Sequence, residues 1–172
     1  MIFIAIRNPQ KKIPVNLLKI KQVVSKIITA GGLSQNGEVN INFITDPMIK
    51  RLNSRFHQRN CPTDVLAFDL SRNKKELIAD IYVSVDTAIK NSKVFLTSPG
   101  YELYLYTIHG MLHIAGYDDH KPRDIKAMRE KESFYLKIIG AQGTSASETG
   151  KKKKQGDGSY LFLSAGNVGK NK

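Results

Sequence analysis

The sequence has little cysteine, no tryptophan and no long hydrophobic run. Its single cysteine, Cys61, cannot support a disulfide framework and favours a reducing compartment. The longest apolar stretches fall far short of the roughly 20 residues that a membrane-spanning helix needs. The apolar opening, Met1 to Ile6, is interrupted by Arg7 and has no basic region before it, unlike a signal peptide. We therefore expect a soluble, cytoplasmic protein without membrane association.

Acidic residues are also scarce. The 172 residues contain 15 Asp plus Glu against 27 Lys plus Arg, which gives a formal net charge of +12. Such an excess favours anionic partners, nucleic acid among them. The remaining composition, 41% hydrophobic and 24% charged, is that of a globular protein and excludes a wholly disordered or fibrous chain. The length suits one domain, because domains typically run to roughly 100–150 residues.

The composition changes at Gly140. Residues 141–172 contain six Gly, four Ser and six Lys but only two acidic residues, so they carry +4 and leave +8 for residues 1–140. Their only apolar cluster is Tyr160 to Leu163. A segment with so few apolar side chains cannot offset the entropy lost on ordering. We expect residues 1–140 to form the folded domain and residues 141–172 to be a basic, disordered tail.

Hydrophobic periodicity within residues 1–140 predicts an α+β fold. Alternating apolar positions indicate strands, and apolar positions three and four residues apart indicate helices. The predicted strands cover residues 2–6, 39–43, 64–70 and 77–83, and the predicted helices cover 14–30, 46–56, 85–93, 98–116 and 122–139. This mixed order favours a single mixed sheet of about four strands with helices packed on it.

Three of the four histidines lie within 12 residues, at His109, His113 and His120. His109 and His113 are four residues apart on a predicted helix, so both imidazoles leave the same face. Gly116 ends that helix, and the chain can then turn back to supply His120 as a third ligand. Three protein ligands leave an open position, as catalytic zinc requires. The alternative is a pair of hydrogen-bonded core histidines with a third histidine on the surface.

The histidine spacing is similar to that of metzincin peptidases, with one chemical difference. In those enzymes a glutamate follows the first histidine and acts as the general base. Here that position is Gly110, which has no side chain. The array therefore retains the ligands for a metal but lacks the base for peptide hydrolysis, which disfavours a peptidase.

Four sequence blocks, in order and spacing, closely resemble the YbeY family of metal-dependent endoribonucleases, also called rRNA maturation factors. The resemblance spans about residues 39–138. The blocks are Leu52-Asn53 through Phe56, Pro62-Thr63-Asp64-Val65-Leu66-Ala67-Phe68, Ala79-Asp80-Ile81, and His109-Gly110-x-Leu112-His113-x-x-Gly116-Tyr117-Asp118.

The resemblance implies a metalloprotease-like (zincin-like) α+β fold with one Zn²⁺ per chain. It implies that His109, His113 and His120 are the metal ligands. It also implies cleavage of single-stranded RNA, maturation of the 3′ end of 16S rRNA in the small ribosomal subunit, and ribosome quality control, with RNA and the ribosome as partners. The alternatives from other classes are a non-catalytic zinc-containing RNA- or ribosome-binding factor and a zinc peptidase.

The chain departs from the family pattern at the third ligand. The family places its third histidine ten residues after the first, where this chain has Asp119, and His120 lies eleven residues after His109. A loop can absorb one extra residue, which keeps His120 as the expected ligand. A carboxylate is also an acceptable zinc donor, so Asp119 stays open as the alternative.

A second departure follows Phe56, where the family often has an arginine and this chain has His57. His57 could position a phosphate only when protonated, and Arg55 and Arg59, which flank it, could substitute for the missing arginine. The alternative is that all three side chains belong to a solvated helix end. The general acid is not assigned. Asp80 could hydrogen bond a ligating imidazole, because such imidazoles usually donate their second N–H to a carboxylate or carbonyl. The alternative is a plain surface or turn-capping aspartate.

Overall fold

The computed structural model describes residues 1–143 and 161–164. The elements in chain order are β1 (Ile2–Arg7), α1 (Leu17–Ala30), β2 (Gly37–Ile44), α2 (Asp46–His57), β3 (Val65–Asp69), β4 (Leu77–Ser84), α3 (Val85–Phe95), α4 (Pro99–Ile114), α5 (Pro122–Ile138) and β5 (Leu161–Ser164). Among the described residues, no helix combines the length and the apolar character needed to cross a membrane.

The strands form one mixed sheet in the order β1-β2-β4-β3-β5. Strands β1, β2 and β4 are parallel, whereas β3 runs antiparallel to β4. The mixed sheet packed with helices confirms the expected fold class. Within residues 141–172, the predicted tail, the structure describes the short strand β5, which pairs in parallel with β3. A strand there covers backbone groups that β3 would otherwise expose at the sheet edge. Residues 144–160 and 165–172 of the predicted tail lie outside the described residues.

Helices cover the two faces of the sheet unequally. Helices α1 and α4 bury one face, where alternate residues of β2, β3 and β4 contribute to the main core. The opposite face is covered by α2, which buries Ile49 against Leu66 and Phe68. Helix α4 lies at the centre of the molecule, since it contacts α1, α3, α5, β3 and β4.

The central position of α4 explains the burial of its histidines. Ser98 caps its first turn by accepting a hydrogen bond from the Tyr101 amide (3.1 Å), and Pro99 follows the cap. Nearly every side chain from Glu102 to Ile114 is buried, although a helix on a surface would bury only one stripe. His109 and His113 are 1% and 6% exposed.

Helix α4 packs tightly against the sheet at Gly110. A Cβ atom at this position would lie 3.1 Å from Cγ2 of Ile81 and 3.2 Å from Cγ2 of Val65, tighter than ordinary van der Waals contact. The absence of a side chain lets the helix backbone pack directly against β3 and β4. The position at which a metzincin carries its general base therefore faces a closed core in this protein.

We expect Gly110→Val to lower the free energy of unfolding by about 1–3 kcal/mol, because overpacked cores lose stability on this scale. Urea denaturation measures the change. Gly100→Ala on the same helix is the control, since a Cβ there meets nothing closer than 3.6 Å. A Gly110→Val protein as stable as the wild type would show that the helix–sheet contact is looser than described.

Candidate metal centre

Helix α4 brings two imidazoles together in the protein interior. The Nε2 atoms of His109 and His113 are 2.8 Å apart, and the ring centroids are 4.5 Å apart. Their four-residue spacing on the helix produces this convergence, as the sequence predicted.

Each imidazole has a second partner that orients it. Nδ1 of His109 donates a hydrogen bond to Oε1 of Glu132 on α5, at 2.5 Å. The His113 imidazole bonds the backbone of Tyr117, just beyond the end of α4. Glu132 was not predicted from the sequence. The sequence feature that could have indicated Glu132 is its place on the buried face of α5. It lies four residues after Met128 and three before Tyr135, both of which are core residues.

Asp119 is the third side chain at the two buried histidines. Its carboxylate oxygens lie 3.7 Å from Nε2 of His109 and 3.8 Å from Nε2 of His113, and its side chain is 17% exposed. Gly116, at φ +89°, ends the helix and lets the chain turn back over the two histidines. One donor atom from each of the three residues lies within 4.8 Å of the others, so the group could hold a metal ion.

His120 lies outside this group of three. Its side chain is 80% exposed, with Nδ1 3.8 Å from Oδ1 of Asp119 and Nε2 3.7 Å from Oδ1 of Asp118. The donor atoms of Asp118, Asp119 and His120 form a second group whose members lie within 4.8 Å of one another, and Asp119 is the member shared with the buried histidines. Of the two candidates for the third ligand, the structure brings Asp119 to the buried histidines.

The donor set fits a divalent cation. Two imidazole nitrogens and a carboxylate suit zinc and several other divalent metals, so the residues do not identify the metal. Burial lowers the pKa of His113 to about 4, and the nearby charge of His109 adds to this effect. At neutral pH His113 therefore holds the uncharged form that can coordinate a metal.

Asp64 is a further carboxyl group beside the centre. It is buried at the entry to β3, where it accepts hydrogen bonds from the Val65 amide (2.9 Å) and the Thr63 hydroxyl (3.1 Å). Burial raises the pKa of Asp64 to about 6, although the charge of His109 and the two hydrogen bonds act in the opposite direction. The sequence indicated only the backbone role of this residue and not its proximity to His109.

The expected role of Asp80 is wrong. Its carboxylate accepts hydrogen bonds from Asn40 (3.1 Å) and from the Tyr82 hydroxyl (3.3 Å). Alternation along β4 places Ala79 and Ile81 in the main core and Asp80 on the opposite face of the sheet. The carboxylate that bonds a histidine of the centre is that of Glu132 instead.

The three residues expected to position a phosphate lie at the end of α2 and just after it. The Arg55 guanidinium lies over the exposed ring of Phe56, at 5.4 Å. His57 is half-buried, its Nε2 has no hydrogen-bond partner, and burial lowers its pKa, with a smaller contribution from Arg59. His57 is therefore uncharged at neutral pH. Arg59 is exposed on the loop that leads to Asp64 beside the centre.

Comparison with known proteins identifies the family. The family model described as Endoribonuclease YbeY matches residues 5–140. The chain belongs to the YbeY family. Among its relatives is Endoribonuclease YbeY of Syntrophus aciditrophicus, 35% identical over 142 residues, with 77% of this chain and 88% of the relative covered. That of Carboxydothermus hydrogenoformans is 33% identical over 141 residues, with 80% and 97% covered.

A Thermotoga maritima protein solved in solution shares the fold. It is 27% identical, with a TM-score of 0.55, and the match covers 91% of this chain and all of that protein. The YbeY match extends over most of the domain predicted from the sequence, and it confirms the resemblance and the zincin-like fold expected from the four sequence blocks.

We expect Asp64→Asn to stabilise this YbeY family member in a pH-dependent way. The pKa of Asp64 rises from 3.8 to about 6 on folding, so the wild type loses stability as pH rises through that interval. The uncharged asparagine avoids this loss, and the variant should be about 3 kcal/mol more stable at pH 8, with most of the advantage gone at pH 4. Urea denaturation of chelator-treated protein measures both values. A stability difference that does not change with pH would contradict the raised pKa of the buried Asp64.

Proposed function

We propose that this chain is a zinc-dependent endoribonuclease that cleaves single-stranded RNA. The observation that carries the proposal is the buried group of His109, His113 and Asp119 in a member of a family described as an endoribonuclease. By the same family relationship, we propose that it acts in the cytoplasm on the 3′ end of 16S rRNA and in ribosome quality control. Its partners are then small-subunit rRNA and the ribosome.

His109, His113 and Asp119 would hold the ion, one per chain, and His120 would lie at the rim. When bound, the ion supplies a Lewis acid that polarises a phosphoryl oxygen and stabilises negative charge developing on the phosphate. Two neutral imidazoles and one carboxylate leave a divalent ion with a net charge of about +1. That residual positive charge suits an anionic phosphodiester and favours a phosphodiesterase.

The other two function classes have less support. A structural zinc normally has four protein ligands, whereas the described group around the two buried histidines has three. An open position supports catalysis over a purely structural role. A peptidase of the metzincin type needs a base where Gly110 packs against Ile81 and Val65.

We expect purified protein to cleave a single-stranded RNA oligonucleotide, to lose this activity on chelation and to regain it when zinc is added. Asp119→Ala should weaken zinc binding by more than about 100-fold, since loss of an outer partner alone costs 10–100-fold. His120→Ala should bind zinc within about twofold of the wild type, because its side chain is 80% exposed. Competition with a chromogenic chelator measures the affinities, and gel electrophoresis of labelled RNA measures cleavage.

Two results would contradict this proposal in different ways. Cleavage that survives thorough chelation would refute metal dependence. Zinc binding that is lost in His120→Ala and retained in Asp119→Ala would instead assign the third ligand to His120, as the resemblance to the family implies. Casein incubated with the same preparation should stay intact.

We further propose that Arg59 positions the phosphodiester. His57 is uncharged at neutral pH because burial and Arg59 lower its pKa, and the Arg55 guanidinium lies over the Phe56 ring. Arg59 is an exposed, permanently charged guanidinium on the loop between α2 and Asp64. A guanidinium can bind two phosphate oxygens at once, which a neutral imidazole cannot.

Arg59→Gln should reduce RNA cleavage by about 10–100-fold, the range expected when a charged hydrogen bond worth 1.5–3 kcal/mol is lost. Steady-state kinetics on the oligonucleotide measure the loss. Arg51→Gln is the matched control, since Arg51 is an exposed arginine on α2, the helix that precedes the loop with Arg59. Equal effects of the two variants would indicate a general contribution of positive charge and would contradict a specific role for Arg59.

A further inference from the structure

The last described helix contributes one side chain to the metal centre. Oε1 of Glu132 lies 2.5 Å from Nδ1 of His109, and the Glu132 side chain is only 13% exposed. The residues four before and three after it, Met128 and Tyr135, are part of the main core. A carboxylate at a core-facing position loses hydration, which costs free energy unless a strong hydrogen bond compensates. The bond to His109 supplies that compensation.

The hydrogen bond has a chemical consequence for His109. The uncharged imidazole, which is the form that coordinates a metal ion, carries its proton on one nitrogen only, and a carboxylate at Nδ1 holds the proton there. Nε2 then keeps its electron pair, and this atom faces Nε2 of His113 at 2.8 Å and a carboxylate oxygen of Asp119 at 3.7 Å. The alternative tautomer would place a proton on Nε2, where an ion would bind.

We propose that Glu132 is a positioning residue of the metal centre. It fixes His109 in the tautomer whose Nε2 coordinates the ion, and it makes α5 a structural part of the site. This inference rests on the metal binding proposed above and does not depend on which RNA is cleaved. None of the four sequence blocks that resemble the family includes Glu132.

The chain offers a matched control on the same helix. Glu130 lies two residues before Glu132, on the exposed face of α5. Removal of its charge changes the net charge by the same amount as removal of the Glu132 charge. A general electrostatic effect on cation binding would therefore be similar at both positions, whereas a positioning effect requires the hydrogen bond at His109.

The experiment compares Glu132→Gln, Glu132→Leu and Glu130→Gln with the wild type. Zinc affinity is measured by chelator competition, and the tautomer of His109 is read in metal-free protein from the ¹⁵N shifts of its ring nitrogens. We expect zinc affinity to fall about 10-fold in Glu132→Gln, which retains an acceptor oxygen, and about 100-fold in Glu132→Leu. Only Glu132→Leu should lose the Nδ1–H tautomer, and Glu130→Gln should match the wild type.

Zinc affinity within twofold of the wild type in a folded Glu132→Gln and a folded Glu132→Leu would overturn the proposal, and so would equal losses in Glu130→Gln and Glu132→Gln. If Glu132→Leu does not fold, the comparison of the two glutamine variants decides. Neither readout uses RNA cleavage, so a wild-type protein that binds zinc but cleaves no RNA would refute the proposed function and leave the role of Glu132 standing.

Discussion

The close contact between α4 and the sheet at Gly110 determines where the other site residues lie. Without a Cβ at this position the helix backbone approaches Ile81 and Val65 directly, and the preceding residue, His109, is thereby held in the interior. The entry of β3 then lies close enough for the charge of His109 to act on the pKa of Asp64. The same glycine removes the base on which a metzincin peptidase depends, so one packing constraint both builds the centre and limits its chemistry.

The charge of the centre is opposite to that of the chain as a whole. Asp119 and Glu132 lie close to the two imidazoles, and Asp64 is near enough for His109 to affect its pKa, although the sequence carries a formal charge of +12. The carboxylates near the two histidines and the net positive charge of the chain suit different ligands. A local group of carboxylates attracts a cation, whereas a distributed basic surface attracts polyanions over longer distances. The raised pKa of Asp64 reduces the negative charge of the group in mildly acidic conditions.

A site residue could be predicted from the sequence where helix or strand periodicity determines its position. His109 and His113 follow from helical spacing, and the helix stop at Gly116 follows from glycine at a positive φ. The choice between Asp119 and His120 depends on the path of a short loop, which no periodicity describes. Asp80 was misplaced although the alternation of Leu77, Ala79 and Ile81 along β4 already assigned it to the other face.

Glu132 was missed for a different reason. Its partner is 23 residues away in sequence, so the bond depends on how α5 packs against α4, and helix packing is set by the whole core. The strand β5 is a similar case, since its backbone pairs with β3, which is distant in the sequence. In both cases the residue pattern marked an anomaly, an acid on a buried face or an isolated apolar cluster, that only the tertiary structure resolves.

The two departures from the family pattern act in the same direction on the electrostatics of the proposed site. With Asp119 as the proposed third ligand, the donor set carries one more unit of negative charge than three neutral histidines would. An uncharged His57 in place of an arginine removes a positive charge from the end of α2. A site with this charge would hold a cation more strongly and attract a phosphate less strongly. Attraction of an RNA substrate would then depend more on the +8 carried by residues 1–140.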